Sequence, residues 1–224
     1  MNKEKGMNMI NWNEINIVLL DMDGTLLDDH YERMFWDNML PDMFAEKHKI
    51  NIEDSKKELQ KIYNKHIGTN KWGDIDFWEK ELDMELWNIR YQISHLLKLH
   101  PHTINFLEFL KKQNKKVFMV TAAPMNDIDF KFKHTKLEKY FIKIYTEIDI
   151  GYSKHDIKFW EALKKLTTFD NDSTLLAEDN EGILKIAKIF GIKHLILKGK
   201  YNSKFPAKSS KEFLTVNHFD EIID

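Results

Sequence analysis

Five short apolar runs, each bounded by polar segments and none of them alternating, punctuate the chain: Ile17 to Leu20, Val117 to Val120, Ile142 to Tyr145, Thr174 to Ala177 and His194 to Leu197. Unbroken runs of this length fit strands buried on both faces, as in a parallel sheet. Between the later runs the period changes. His155 to Leu166 carries Phe159, Trp160, Leu163 and Leu166 at helical spacing. Glu181 to Phe190 carries Ile183, Leu184, Ala187, Ile189 and Phe190 and stops at Gly191, which predicts a helix C-cap there. Strand, helix, strand in succession predicts an α/β fold, a parallel sheet with helices on both faces.

The first interval breaks the rhythm. Residues 21–116 separate the first two runs, far more chain than one crossover helix requires. Within it Glu32–Met43, Ile52–His66, Ile75–Leu82 and Met84–Leu97 read as helices, and no β-rich run interrupts them. After Pro101, Thr103–Lys112 has the pattern of the expected crossover helix. The expectation is an all-helical insertion at residues 31–99, a small cap on a core built from residues 1–30 and 100–224. Lys204 to Lys211 reads as a polar loop before a short terminal element, Val216 to Ile223.

A chain of 224 residues is long enough for such a core with a smaller inserted domain, and 42% hydrophobic with 31% charged residues is an ordinary globular composition. The net charge of −2 carries no basic excess, which argues against polymeric nucleic acid as a partner. The absence of cysteine removes disulfides, thiolate nucleophiles and zinc–cysteine clusters, and suits a reducing cytoplasm. Met1 to Trp12 mixes Asn, Lys and Glu without an apolar core, so it is not read as an export signal. No apolar stretch approaches the roughly 20 residues of a membrane span. The expectation is a soluble cytoplasmic protein without a membrane partner.

In open parallel sheets ligands gather outside the carboxyl ends of the strands, so the residues just past each run matter most. The first run delivers Asp21-Met22-Asp23-Gly24-Thr25, the second Thr121-Ala122-Ala123, the third Gly151-Tyr152-Ser153-Lys154 and the fourth Glu178-Asp179-Asn180. Two carboxylates at a strand end are costly unless a cation sits with them. Asp21 is the candidate nucleophile, forming an aspartyl-phosphate, and Asp23 the acid that protonates the leaving oxygen and later deprotonates water. Asp21, Asp179 and the backbone carbonyl of Asp23 are candidate Mg²⁺ ligands, with Glu178 orienting a metal-bound water. Thr121, the amide of Ala122 and the ammonium of Lys154 are candidates for holding the phosphoryl oxygens. Each feature has a plainer reading: Asp-x-Asp as a turn, Thr121 as a cap, Lys154 as a solvated lysine, Glu178-Asp179 as a helix-end charge pair. Their order after successive strands is what favours chemistry. No Walker-type or G-x-G-x-x-G cradle is present, against ATP or a dinucleotide as cofactor.

These residues resemble the haloacid dehalogenase-like (HAD) hydrolases. Val18-Leu19-Leu20-Asp21-Met22-Asp23-Gly24-Thr25 is similar to the first motif of that superfamily, Thr121 to the second, Lys154 to the third and Glu178-Asp179 to the fourth. The resemblance implies a Rossmann-like core with a helical cap inserted after the first motif, Mg²⁺ dependence and an aspartyl-phosphate. Dehalogenases do not need the second aspartate, so Asp23 turns the resemblance toward phosphoryl transfer, and it also separates the chain from the phosphonate-cleaving relatives. Phe35-Trp36 through Leu40-Pro41, His134-Thr135 with Leu137, and Gly151-Tyr152-x-Lys154-x-Asp156 with Trp160 resemble the bacterial GMP/IMP-type 5′-nucleotidases. A purine nucleoside monophosphate is therefore the expected substrate. The rivals are a sugar-phosphate phosphatase or mutase, with Arg33 or Lys71 gripping a second phosphate, and an idle ligand-binding or regulatory protein. Trp72, Phe77, Trp78 and Trp87 read mainly as the insertion's own core, with stacking on a purine as the alternative. His95, His100 and His102 fit no zinc spacing and read as a loop or hinge near Pro101.

Overall fold

The computed structural model describes residues 10–67, 69 and 71–223. Residues 1–9, on which most of the export-signal expectation falls, lie outside that description. A six-stranded parallel sheet runs through the middle of the chain in the order β3-β2-β1-β4-β5-β6. Its strands are β1 (Ile17–Leu20), β2 (Lys116–Thr121), β3 (Lys143–Thr146), β4 (Thr174–Glu178), β5 (His194–Lys198) and β6 (Leu214–Val216). The α/β class read from the apolar runs is the one observed. β1 is central, with Leu20 paired to Met119 of β2 on one side and to Ala177 of β4 on the other. Its side chains divide between two buried clusters, Val18 and Leu20 in one, Ile17 and Leu19 in the other. That is why the run has no polar alternation: both faces of the strand are covered.

The strand order reverses at β1, which makes a crevice at its carboxyl end. Between β1 and β2 lie α1 (His30–Met34), α2 (Leu40–His48), α3 (Ile52–Asn64), α4 (Ile75–Leu82), α5 (Leu86–Gln92) and α6 (Thr103–Lys112). A π-helical turn at Phe35–Met39 joins α1 to α2, so the first expected helix is longer than its apolar pattern. The single helix expected over Met84–Leu97 ends earlier, at Gln92, and passes into a 3₁₀ turn, Ser94–Leu96. The chain leaves the sheet and returns to it side by side: Leu27 bridges Leu99, the Asp28 amide donates to the Lys98 carbonyl at 2.9 Å, and the His100 amide donates to the Leu26 carbonyl at 2.9 Å.

After β2 come α7 (Met125–Thr135), α8 (Glu147–Ile150), α9 (Ile157–Thr167) and α10 (Glu181–Phe190). α10 stops at Gly191 as expected, with φ +104° and its amide bonded back to Ala187 and Lys188. Two details depart from the sequence reading. The third strand lies one residue later than its apolar run, leaving Ile142 exposed at the edge of the sheet. The terminal element begins with a short sixth strand, Leu214–Val216, and continues as a 3₁₀ turn, Phe219–Ile222. Phe159 and Trp160 of α9 are fully buried against the sheet, each contributing on the order of 1.5–3 kcal/mol. No helix among the described residues is long and apolar enough to cross a membrane.

Candidate active site

Asp21 directly succeeds β1, its amide donating to the Ala177 carbonyl of β4 at 3.1 Å. Only 5% of it is exposed, and both carboxylate oxygens are taken by buried donors. Lys154 Nζ donates to Oδ1 at 2.7 Å and Thr25 Oγ1 to Oδ2 at 2.9 Å. The same Lys154 ammonium donates to Glu178 Oε2 at 2.8 Å. Lys154 is itself held at its backbone: its amide donates to Glu147 Oε1 at 2.6 Å, and its carbonyl accepts Trp160 Nε1–H at 3.0 Å. A lysine only 2% exposed is far from the solvated one its residue type suggests. Burial alone would lower its pKa, but the carboxylates of Asp21 and Glu178 outweigh that and raise it, so the charge persists.

Asp21, Glu178 and Asp179 each offer a carboxylate oxygen, all within 4.8 Å of one another. Burial first, and the neighbouring Asp21 charge second, push the Glu178 and Asp179 carboxyls upward. A second ammonium beside Lys154 is that of Lys208, at 3.3 Å from Asp179 Oδ2. Asp21 and Glu178 each accept one donor at each oxygen, Glu178 from Lys154 and from the Asn180 amide at 3.2 Å, whereas Asp179 accepts only at Oδ2. Hard oxygen donors with residual negative charge fit Mg²⁺. Gly24, at φ +80°, makes room for this arrangement: a Cβ there would lie 2.8 Å from Asp179 Cγ.

Thr121 ends β2, paired to Thr146, and is 2% exposed. Its Oγ1 accepts the Ala123 amide at 3.1 Å, which leaves its hydroxyl hydrogen free to donate. Ala122 lines a cavity of about 510 Å³ that opens between the sheet's carboxyl edge and the helices of residues 30–92. Asp23 faces that cavity, and its surroundings were not legible in the sequence. Both Asp23 oxygens accept from Lys131 Nζ of α7, at 2.8 and 2.7 Å. Lys131 also reaches Glu32 of α1 at 2.9 Å and Asp127 at 2.7 Å. Arg90 of α5 completes the group, donating to Glu32 at 2.9 and 3.1 Å and pairing with Asp127. Lys131 and Arg90 are 1% and 0% exposed. Burial raises the Asp23 pKa, the Glu32 and Asp127 charges add to the rise, and Lys131 opposes it. An Asp–Lys pair spaced i,i+4 on a charged helix reads in sequence as a solvated pair.

The aromatic residues of the insertion take two roles. Trp78 is buried and meets Trp36, Tyr63, Trp72 and Phe77 edge to face, as a packing core. Trp78, Trp36, Tyr63 and Trp72 all border the cavity, but Trp72 differs in keeping 41% of its surface exposed. Its neighbour Gly73 comes so close to the strand end that a Cβ would stand 2.9 Å from the Ala122 carbonyl oxygen. Arg33 lines the cavity but is paired with Asp29 at 2.9 Å and Asp37 at 3.3 Å, while Lys71 lies over the Phe77 ring. His100 is buried with Nε2 3.0 Å from the Tyr201 carbonyl oxygen, and His102 stands 3.4 Å from Asp220.

A strand-end aspartate gripped by a buried lysine, beside a carboxylate pair on the next strand, sets the class of this protein. The chain belongs to the haloacid dehalogenase-like hydrolases, whose family model matches residues 15–191. Over 214 residues it is 28% identical to the GMP/IMP nucleotidase YrfG of Escherichia coli (strain K12), with 96% of each chain covered. The same figures hold for the GMP/IMP nucleotidase YrfG of Shigella flexneri. Among solved structures, the HAD phosphatase from Thermococcus onnurineus matches with a TM-score of 0.74 at 21% identity, covering 92% of this chain and 95% of that one. At that identity the likeness speaks for the fold.

Proposed function

We propose that this chain is a phosphomonoester hydrolase, with a purine nucleoside 5′-monophosphate as the substrate that fits best. The observation that carries the reading is Asp21: a buried carboxylate with each oxygen oriented by a separate donor, at the switch point of the sheet, beside Glu178 and Asp179. Asp21 attacks phosphorus. As the new Asp21 O–P bond forms, the ester P–O bond breaks, and its electron pair stays on the leaving oxygen, which takes a proton from Asp23. Asp23, now a carboxylate, takes a proton from water as the water oxygen attacks the same phosphorus. The Asp21 O–P bond then breaks, and inorganic phosphate leaves. Thr121, the Ala122 amide and Lys154 hold the phosphoryl oxygens, and Lys154 orients Asp21 through its hydrogen bond to Oδ1. Asp21, Asp179 and the Asp23 carbonyl would hold Mg²⁺, with Glu178 behind them, and the ion would supply charge neutralisation at the phosphoryl group.

The cavity favours a monophosphate over a bisphosphate. It is lined by the carboxylates of Asp23, Asp29, Glu32, Asp37 and Asp127 and by three cations, Arg33, Arg90 and Lys131, each already paired. Among the described residues, no cation lining it is left over to grip a second phosphate, as a mutase requires. The exposed Trp72, with Trp36 and Tyr63 beside it on the cavity wall, suits a flat base, and the volume suits a small ligand. GMP/IMP nucleotidase relatives at 28% identity favour the purine further.

Residues 31–99 act as a cap, closing on the core of residues 1–30 and 100–224 and excluding water during the first transfer. The paired connections at Leu27 and Leu99 support this reading, with hinges at Asp28-Asp29 and His100-Pro101. The test is phosphate release from purine and pyrimidine nucleoside monophosphates, sugar phosphates and sugar bisphosphates, with Mg²⁺ and with chelator. Turnover of purine monophosphates that stops with chelator is expected. Preference for sugar phosphates would redirect the substrate, and no turnover of any ester with Mg²⁺ would refute hydrolysis and favour a binding role.

A further inference from the structure

Lys131 performs none of the chemical steps described for Asp21 and Asp23, yet it is the most completely engaged side chain near the site. It sits on α7, which reaches the cavity from beyond β2, and its single ammonium contacts three carboxylates: both oxygens of Asp23 at 2.7 and 2.8 Å, Glu32 at 2.9 Å and Asp127 at 2.7 Å. Two of its partners, Asp23 and Asp127, come from the end of β1 and from α7, and the third, Glu32, comes from α1. Arg90 of α5 binds Glu32 and Asp127 from the other side, also contributed by the helical segment. Three carboxylates and two cations are thus gathered where the helices of residues 30–92 meet the sheet. They line the same cavity that reaches Asp23 and Ala122.

We infer that Lys131 is the positioning residue for Asp23, and that through Glu32 and Arg90 it ties the place of Asp23 to the position of the helical segment. This rests on the hydrolase reading above. The geometry explains why a buried lysine is kept there. Asp23 has to face a leaving oxygen in one step and a water in the next. A side chain free to rotate at the cavity wall would meet that need only part of the time. Lys131 fixes the carboxylate through both oxygens at once, and each oxygen keeps a lone pair that Lys131 does not use. Because Glu32 and Arg90 travel with α1 and α5, a displaced helical segment leaves Lys131 with only Asp23 and Asp127. The set that fixes Asp23 is complete only when the segment is seated. Lys131 touches no reacting atom itself; its effect passes through Asp23.

Loss of Lys131 should therefore weigh more heavily on esters whose leaving oxygen needs a proton. A leaving alkoxide needs a proton, whereas p-nitrophenolate leaves without one, so a misplaced Asp23 penalises alkyl esters selectively. Lys131→Met is expected to lower kcat/KM, which reads the reaction only through departure of the leaving group and not the later hydrolysis that also uses Asp23, by about 10²-fold on a nucleoside 5′-monophosphate and by roughly tenfold less on p-nitrophenyl phosphate. Lys131→Arg is expected to restore part of the difference. Glu32→Gln, which leaves every contact of Lys131 with Asp23 in place, is expected to shift the ratio in the same direction. Should Lys131→Met fail to fold, Lys131→Met with Asp127→Asn, which preserves the net charge of the cluster, carries the same comparison. Equal losses of kcat/KM on the two esters in a folded variant would overturn the positioning role. An unchanged ratio in Glu32→Gln would overturn the tie to the helical segment. Failure of the hydrolase reading would look different, since the wild type would then cleave neither ester.

Discussion

Replacing Gly24 by alanine separates the placement of a metal ligand from backbone strain, because the fold supplies a matched control. Gly24 has φ +80° and Gly151 has φ +81°. Alanine at either position meets the same left-handed penalty, on the order of 1 kcal/mol after the gain from a stiffer unfolded chain, or roughly 2–4 °C in Tm. The surroundings differ. Nothing lies within 4 Å of a Cβ at Gly151, whereas at Gly24 the new atom would stand 2.8 Å from Asp179 Cγ and 2.9 Å from its Oδ2. Asp179 would have to retreat by about 0.6 Å to reach ordinary contact at 3.4 Å. A ligand carboxylate moved that far is expected to weaken Mg²⁺ binding by roughly 10–100-fold, the range seen when groups supporting a metal ligand are lost. Thermal unfolding in chelator should show the backbone penalty alone in Gly151→Ala and at least that loss in Gly24→Ala, where the contact with Asp179 adds to it. Raising Mg²⁺ while tracking Tm and phosphate release should then give Gly151→Ala the wild-type half-saturation, its Tm offset unchanged, and leave Gly24→Ala with a higher half-saturation. Wild-type half-saturation in Gly24→Ala, or an equal shift in Gly151→Ala, would refute the assignment of Asp179 as a ligand.

Asp21→Asn keeps the shape of the nucleophile and removes its charge, so turnover should fall by at least about 10³-fold in phosphate-release assays, and no acid-stable phosphoenzyme should be trapped. Unchanged turnover would remove Asp21 from the mechanism. Gly73→Ala forces a Cβ to 2.9 Å from the Ala122 carbonyl oxygen, so the loop beside Trp72 must lift from the strand end. A raised KM for nucleotides with little change in Tm is expected, and an unaltered KM would count against this loop closing on the substrate. His100 supplies a pH dependence of stability. Burial, with Lys198 nearby, lowers its pKa from 6.5 to about 4. The folded ring stays neutral while the unfolded one takes a proton, so stability is lost as pH falls from about 6.5 to about 4, by roughly 3 kcal/mol at the lower end. Urea unfolding between pH 7 and pH 4 should show this loss in the wild type and a shallower one in His100→Gln.

The sheet was legible because burial on both faces leaves its signature in composition. A strand such as β1 can hold nothing but apolar residues, and its run marks it to the residue. The candidate site was legible for a related reason: polar residues just past such runs have only the carboxyl edge of the sheet to occupy. α7 escaped notice because its pattern is mixed. Asp127, Asp129, Lys131, Lys133 and His134 break the apolar spacing, yet Asp127 and Lys131 are buried, held by opposite charge and not by hydrophobicity. A hydropathy pattern is blind to burial of that kind, so the ion cluster around Asp23 emerges only in three dimensions. The π turn at Phe35–Met39 escaped for another reason, since it adds a residue to a helical turn without altering which residues are apolar.

The bridge between Leu27 and Leu99 makes the long excursion cheap for the rest of the molecule. Once that contact forms, β1 and β2 are joined, as far as the sheet is concerned, by a short circuit through Leu27, Leu99 and the crossover helix α6. Loop entropy grows only slowly with length, and here the added length is sealed off where it begins. The sheet therefore carries its helical excursion on two adjacent connections, so the strand pairing beneath does not depend on how many residues the excursion contains.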